Sequence, residues 1–191
     1  NPISHPPGEQ RYALPVLPIS GPKNTTDERI SCISFSGISY LMIILVIYVL
    51  AFVVGALLAL RLNGMMLKLF VFDLAATVVV FVFSVLLHNS SVYDAYWSFA
   101  PMLMVIWLFA AEKARSVMHI VFLAIFLAWS VRLTVNWAVV FTDFSYEDWR
   151  YRKYRDETPR PLWPIVNFFG IHLVPTLIVF AGMLPLFEIA E

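Results

Sequence analysis

The chain has little charge, little glycine and a single cysteine. Charged residues make up 14% of its 191 positions, whereas hydrophobic residues make up 60%. Soluble domains are about half apolar and about a quarter charged, so this balance excludes an ordinary water-soluble domain. The net charge is zero, with 13 basic and 13 acidic side chains. Because no long-range field attracts a polyanion, nucleic acid is excluded as a partner.

The single cysteine, Cys32, excludes an internal disulfide and any cysteine-based metal framework. The four histidines lie far apart in the sequence, and none forms an HxxxH or HExxH pair. We therefore expect no metal site and interpret the histidines as ordinary hydrogen-bonded side chains.

Long apolar stretches follow a polar, proline-rich lead-in. About 20 helical residues, rising 1.5 Å each, cross the roughly 30 Å hydrocarbon layer of a bilayer. The third stretch is too short alone, and it needs residues 93–98 to continue its helix into the interface. We predict an all-α integral membrane bundle of about five transmembrane helices, with apolar stretches at 38–60, 69–87, 99–111, 116–140 and 162–186.

Two domains follow from this division. Residues 1–30 form a proline-rich extramembrane extension, which has no apolar core and which we expect to lie on a partner. Residues 31–191 form the transmembrane domain. Asp73 lies one turn inside the second apolar stretch, where we expect its side chain to snorkel or to cap the helix.

Two clusters of polar and aromatic residues are predicted to share one membrane face, because of the number of crossings between them. The first is Tyr-Asp-Ala-Tyr-Trp-Ser at 93–98. The second runs from Arg-Leu-Thr-Val-Asn-Trp at 132–137 into a strongly charged loop, 142–161. Within it we interpret the block Arg150–Arg160 as a solvated loop with local ion pairs.

Arg132 and Asn136 are four residues apart and share one helical stripe. An arginine inside a membrane helix is costly unless it is paired or hydrated. One interpretation is an anion site for a nucleotide phosphate or a lipid head group, since the guanidinium binds phosphate bidentately. The other is an intramolecular clasp between Arg132 and Asp94, Glu147 or Asp148.

The three motifs Tyr-Asp-Ala-Tyr-Trp-Ser, Arg-Leu-Thr-Val-Asn-Trp and Glu-Asp-Trp-Arg-Tyr at 147–151 resemble, in this order, an uncharacterised bacterial-type branch of the steroid 5-alpha-reductase superfamily. The resemblance covers roughly residues 40–190. It implies a seven-helix membrane fold, NADPH as hydride donor and reduction of a carbon–carbon double bond in a sterol or other lipid. It also implies kinship with the membrane isoprenylcysteine methyltransferases. The residues it carries over, as candidates for binding a cofactor or a lipid head group, are Asp94, Tyr96, Trp97, Arg132, Asn136, Glu147, Asp148, Arg150 and Tyr151.

The family's cofactor signature, of the Arg-His-Pro-Asn-Tyr type, does not occur in this sequence. From this departure we expect a C-terminally truncated relative with no catalytic residues and no bound cofactor. Such a chain would be a non-catalytic accessory subunit of a large membrane complex that binds membrane lipids and other membrane subunits. The mitochondrial inner membrane is the favoured location, and the endoplasmic reticulum and the bacterial inner membrane stay open. The alternative is an NADPH-dependent membrane reductase of a sterol or other lipid.

Overall fold

The computed structural model describes residues 35–113 and 116–190, and this part of the chain contains helices and no strand. The predicted extension and Cys32 lie outside the described residues. We number the α-helices in chain order and name one 3₁₀ helix and one π-helix separately. The elements are α1 (Phe35–Ala59), α2 (Met65–Leu86), the 3₁₀ helix (Ser90–Tyr93), α3 (Tyr96–Ala111), α4 (Val117–Val140), α5 (Trp149–Glu157), α6 (Trp163–Val166), the π-helix (Asn167–Leu173) and α7 (Val174–Ala190).

The predicted all-α membrane bundle is confirmed. Five segments of the described chain are long and apolar enough to cross a bilayer. The third begins before residue 99, as expected, because the 3₁₀ helix precedes α3 and lengthens it. The second begins earlier than predicted, because Lys68 is tolerated in its first turn, where a long cationic stem reaches the interface. The spans are Ile38–Ala59, Met65–Leu86, Ser90–Ala111, Val117–Val140 and Trp163–Ala190.

Helices α1 and α2 form a tightly packed hairpin. The turn between them uses Gly64 at φ 83°, a backbone conformation that costs glycine little. At Gly55 of α1, a Cβ atom would lie 2.6 Å from the carbonyl oxygen of Phe72 in α2. Only glycine allows the two backbones to approach this closely.

The core divides into two hydrophobic clusters stacked along the bundle. One lies at the end where the 3₁₀ helix meets the charged segment, and it includes Tyr48 and Tyr93. The other lies towards the opposite end and includes Leu69 and Met104. Phe52 packs against both clusters, so the aromatic core is continuous across the membrane.

The last span is not a uniform α-helix. Pro175 has no N–H, so the carbonyl of Ile171 loses its ordinary α-helical donor. The seven residues Asn167–Leu173 adopt a π-helix immediately before this point. Local widening of this kind re-satisfies the backbone where a proline interrupts a membrane helix.

The interpretation of Arg150–Arg160 as a solvated loop is wrong in two respects. Residues Trp149–Glu157 form helix α5, and the Asp148 carboxylate caps its N-terminus by accepting the Arg150 N–H at 2.8 Å. Buried contacts also tie this segment to the bundle, as described below. The expected local ion pairs are present, and the pair of Lys153 and Glu157, at 3.8 Å, is exposed to solvent.

Candidate functional site

The two motif clusters meet at one membrane face, as the crossing count predicted, and Asn89 joins them. Its side chain is fully buried and donates to the carbonyls of Phe144 and Tyr146, at 2.9 and 2.6 Å. Its Oδ1 accepts the Ser91 N–H at 2.8 Å and so caps the 3₁₀ helix. One side chain therefore fixes the start of the third span against the segment that follows α4.

Glu147 makes a second connection. Its carboxylate is buried and accepts the Ser90 N–H at 2.8 Å and Arg155 Nη2 at 2.6 Å. Arg155 also donates to the carbonyl of His88 at 3.3 Å and lies over the Trp163 ring at 5.1 Å. The Glu147 charge is therefore paired with Arg155 of the same chain. Together these contacts hold α5 against the start of the third span.

Asp148 and Arg150 form a bidentate pair, with Nε–Oδ1 and Nη2–Oδ2 distances of 2.9 Å each. Hydrogen bonds from Arg150 hold the pKa of the Asp148 carboxyl below its usual value of 3.8. The same contact raises the pKa of the Arg150 guanidinium. The Asp148 N–H also donates to Ser91 Oγ at 2.9 Å, which positions the pair over the 3₁₀ helix.

Tyr151 connects α5 to the start of the third span. Its hydroxyl donates to Asp94 Oδ1 at 2.6 Å. Burial and the neighbouring Asp94 charge raise the pKa of the Tyr151 hydroxyl, so it stays a donor at physiological pH. The Asp94 carboxylate also accepts a hydrogen bond from the Ser91 side chain, and it lines the cavity described next.

These residues form one end of a cavity of about 450 Å³, which we call the loop-side cavity. Its polar end consists of Tyr93, Asp94, Arg150 and Tyr151. The rest of its wall comes from α3, α4 and the last span and is apolar. That apolar wall consists of Trp97, Leu133, Trp137, Ile171, Pro175, Ile178 and Val179.

Arg132 does not join this site, and the predicted clasp between it and an acidic residue is wrong. Its side chain is exposed, and among the described residues it has no hydrogen-bond or ion-pair partner. Asn136 is exposed on the same stripe of α4. The following residues, Leu133 and Trp137, line the cavity, so the preceding positions are rotated by about 100° away from it.

Tyr96 and Trp97 have different surroundings although they are adjacent. Trp97 lines the loop-side cavity, whereas Tyr96 is buried and donates to Asp73 Oδ1 at 2.7 Å. Asp73 itself is buried, so the expectation that it snorkels or caps a helix is wrong. The reason is that α3 presents a hydroxyl to it inside the bundle, which no pattern within α2 reveals.

A second group of buried polar side chains lies behind the polar end of the cavity. The hydroxyls of Tyr93 and Thr77 lie 2.7 and 2.9 Å from that of Thr176. His172 packs against the Tyr93 ring at 4.7 Å, and its Nδ1 donates to the carbonyl of Asn167 at 3.0 Å. Because a carbonyl only accepts, the neutral ring leaves Nε2 as an acceptor, and the described chain gives that atom no partner.

The charges at the polar end determine what the cavity can hold. Asp94 lines the cavity with Arg150, and Asp148, which does not line it, is paired with the same guanidinium, so two carboxylates stand against one cation. Even with Asp94 protonated, this group has no net positive charge. The pyrophosphate of a dinucleotide therefore does not fit the cavity, whereas a neutral group that both donates and accepts hydrogen bonds does.

Several cavity residues were absent from the sequence-based candidates. Leu133 and Trp137 lie within the quoted motif at i and i+4, so the helical period alone could have placed them together. Ile171, Pro175 and Ile178 carry no polar signal. They join the site only because the last span packs beside α3.

Comparison with known proteins places the chain in a family. Residues 80–191, more than half of the chain, match the sequence profile of a family described as protein of unknown function, DUF1295. The chain therefore belongs to this family, which is related to steroid 5-alpha-reductase-like proteins. No curated protein and no solved structure matches the chain. The matched region includes every one of the predicted candidate residues.

Proposed function

We propose that this member of the DUF1295 family binds an amphipathic membrane lipid in the loop-side cavity, as a non-catalytic subunit of a larger membrane assembly. The cavity carries the proposal, because it is polar at the membrane face and apolar towards the bilayer interior. Sites for small molecules are mostly apolar and have a few well-placed polar groups, in volumes of about 300–1,000 Å³. The volume of about 450 Å³ lies within that range.

The internal hydrogen bonds support binding rather than chemistry at this face. Glu147 and Asp148 are both engaged by arginines of the same chain. Because these side chains are already held in place, little conformational entropy is lost at the polar end when a ligand binds. Asp94 and Arg150 keep hydrogen-bonding capacity, and both line the cavity.

Mass spectrometry of the purified protein tests lipid binding. We expect one defined lipid to co-purify with the wild type and to be lost from Ile178→Trp, since Ile178 lines the cavity. Leu177→Trp is the matched control, because the Leu177 side chain is adjacent in sequence but does not line the loop-side cavity. Lipid lost equally from both variants, or no defined lipid in the wild type, would contradict the proposal.

The outward face of α4 supports a role in an assembly. Only 6% of the residues in its membrane window are buried, although the helix is 24 residues long. Arg132 lies on this face, eight positions before Val140, which is about 12 Å along the axis. A charged arginine at the centre of a membrane helix costs about 2.5–3.5 kcal/mol on insertion scales. An acidic residue of a partner helix would offset this cost.

Native gel electrophoresis of gently extracted membranes tests the assembly. We expect the protein to migrate in a large complex and Arg132→Leu to reduce that fraction several-fold. Arg61→Leu, which removes an exposed cation outside the spans, serves as the control. A native particle that contains this chain alone would exclude the subunit role.

A second candidate is NADPH-dependent reduction of a lipid double bond, which family membership and the kinship with steroid 5-alpha-reductase-like proteins favour. NADPH would supply the hydride. The cavity does not fit its phosphates, whereas Arg132 and Asn136 have donors that the described residues leave unused.

An activity assay separates the two candidates. Purified protein is incubated with NADPH and lipids extracted from its native membrane, and products are sought that are heavier by two hydrogens. Such a product, lost in Arg132→Ala and retained in Arg61→Ala, would establish the reductase and exclude the non-catalytic role. Under the subunit proposal we expect NADPH to stay unoxidised.

A further inference from the structure

A second cavity continues the loop-side cavity towards the membrane interior. It has a volume of about 360 Å³ and is lined by apolar groups, among them Trp129, Gly182 and Met183. Val179 lines both cavities. The rings of Trp97 and Trp129, one from each cavity, lie 6.0 Å apart. We call the second space the apolar cavity.

Three helical stripes carry this lining from one cavity into the other. On α4, the stripe runs from Trp137 through Leu133 and Trp129 to Ile125, in steps of four residues. The twelve positions from Ile125 to Trp137 correspond to about 18 Å of helix axis. On the last span, Pro175, Val179 and Met183 have the same spacing, with Gly182 three residues after Val179, and on α3 Trp97 is followed four residues later by Pro101. The two cavities therefore lie end to end in one groove between three helices.

We infer that the joined cavities bind a single-chain, uncharged amphiphile, with its hydroxyl head at Asp94 and Arg150 and its alkyl chain in the apolar cavity. This inference rests on the proposed lipid binding and specifies its ligand class. The chain enters sideways from the bilayer, because the groove lies on the side of the bundle where α4 has few buried residues.

The head-group preference follows from hydrogen bonding and charge. The Asp94 carboxylate lines the cavity and has acceptor sites beyond its bonds from Tyr151 and Ser91, so it can accept from a ligand hydroxyl. The guanidinium of Arg150 keeps N–H groups beyond the two that bind Asp148. A hydroxyl satisfies both groups at once. A carboxylate or phosphate head would add an anion beside Asp94 and Asp148 without a free cation to balance it.

The chain length that binds depends on Gly182. A Cβ atom at this position meets nothing within 4 Å, so a side chain can start there without a clash, and Gly182 lines the apolar cavity. Gly170 has the same open surroundings but lines neither cavity, which makes Gly170→Leu the matched control.

Equilibrium binding of radiolabelled probes to the full chain in phosphatidylcholine nanodiscs tests the inference, with empty nanodiscs as the partitioning background. We expect saturable binding of hexadecanol, with palmitate at least about fivefold weaker. Gly182→Leu should weaken hexadecanol binding about tenfold and leave octanol unchanged. Gly170→Leu should change neither, and Asp94→Asn should bring palmitate to within about twofold of hexadecanol.

Three results would overturn the inference, and they separate it from the proposed function. If Gly182→Leu leaves hexadecanol binding unchanged while octanol still binds, the chain does not occupy the apolar cavity, although lipid binding at the polar end stands. If palmitate binds as tightly as hexadecanol, the polar end does not prefer an uncharged head group to an anionic one. If neither alcohol binds saturably while a co-purified lipid is still displaced by Ile178→Trp, the ligand class is wrong and lipid binding survives. Retained octanol binding also shows that the Gly182 variant is folded.

Discussion

The third and fourth membrane spans have similar lengths and opposite environments. Ser90–Ala111 and Val117–Val140 contain 22 and 24 residues, yet 56% of the first window and 6% of the second are buried. Both carry polar groups near the same membrane face. In the third span those groups bond to other parts of the chain, whereas Arg132 and Asn136 of the fourth face outwards. The comparison teaches that polarity inside a membrane helix does not by itself reveal whether it serves the fold or a partner.

The largest expected effect is on stability, and it comes from a comparison of two asparagines. Asn89 lies in the buried environment of the third span, and Asn136 lies on the outward face of the fourth. Asn89→Ala removes the partners of two carbonyls and one N–H in a fully buried position, and we expect a loss of about 3 kcal/mol in the free energy of unfolding. Asn136→Ala, on the outward face, should change it by less than about 0.5 kcal/mol. Unfolding in mixed micelles of increasing SDS content measures both. Equal losses would remove the distinction between the two spans.

Replacing Arg155 and Arg132 in turn tests the same difference between internally bonded and outward-facing polar groups. Arg155→Leu leaves the buried Glu147 carboxylate without its cation, and we expect a loss of about 2 kcal/mol, reduced from the value for a fully buried pair because a third of the Arg155 side chain is exposed. Arg132→Leu should not destabilise the isolated chain, since it removes a charge from the lipid-facing surface. The same unfolding assay applies. Destabilisation by Arg132→Leu would mean that Arg132 has a partner within the chain.

A smaller effect is expected from two tyrosines of α5. Tyr151→Phe removes the hydrogen bond to Asp94 and should cost about 1 kcal/mol. Tyr154 is half exposed, and Tyr154→Phe should be neutral within about 0.5 kcal/mol. If the two variants unfold alike, the Tyr151–Asp94 contact does not hold α5 against the third span.

The smallest effect is a pH dependence at the N-terminus of α5. The folded pKa of Asp148 lies below 3.8, so its ion pair contributes stability above pH 3.8 that is lost as the pH falls through the lower folded value. Because the Arg150 side chain is 57% exposed, the contribution should stay below about 1 kcal/mol. The difference in unfolding free energy between wild type and Asp148→Asn should therefore be largest at neutral pH and shrink below pH 3.8. A difference that does not change with pH would exclude the ion pair as its source.

The sequence predicted much of the fold because hydrocarbon thickness constrains every span in the same way. The five apolar stretches and the shared face of the two clusters follow from length and crossing count alone. The boundaries moved where local chemistry intervened: Lys68 was tolerated in α2, and nine residues of the charged segment formed α5.

The candidate site was less predictable. Asp94, Trp97, Arg150 and Tyr151 came from the motifs and do line one cavity. Arg132 and Asn136 lie outside this cavity, because the packing of α4 against its neighbours sets which of its faces points towards the bundle. In the case of Arg132, nothing in an almost uniformly apolar helix indicates which stripe faces the bundle.

The sequence by itself determined that this protein is helical and resides in a membrane, since so many apolar residues with so few charges have no other favourable solvent. Only the tertiary structure decided which polar groups are satisfied internally and which remain available. The physical reason is that hydrogen bonds such as that between Tyr151 and Asp94, 57 residues apart, depend on how separate spans pack. Periodicity within one helix carries no information about that packing.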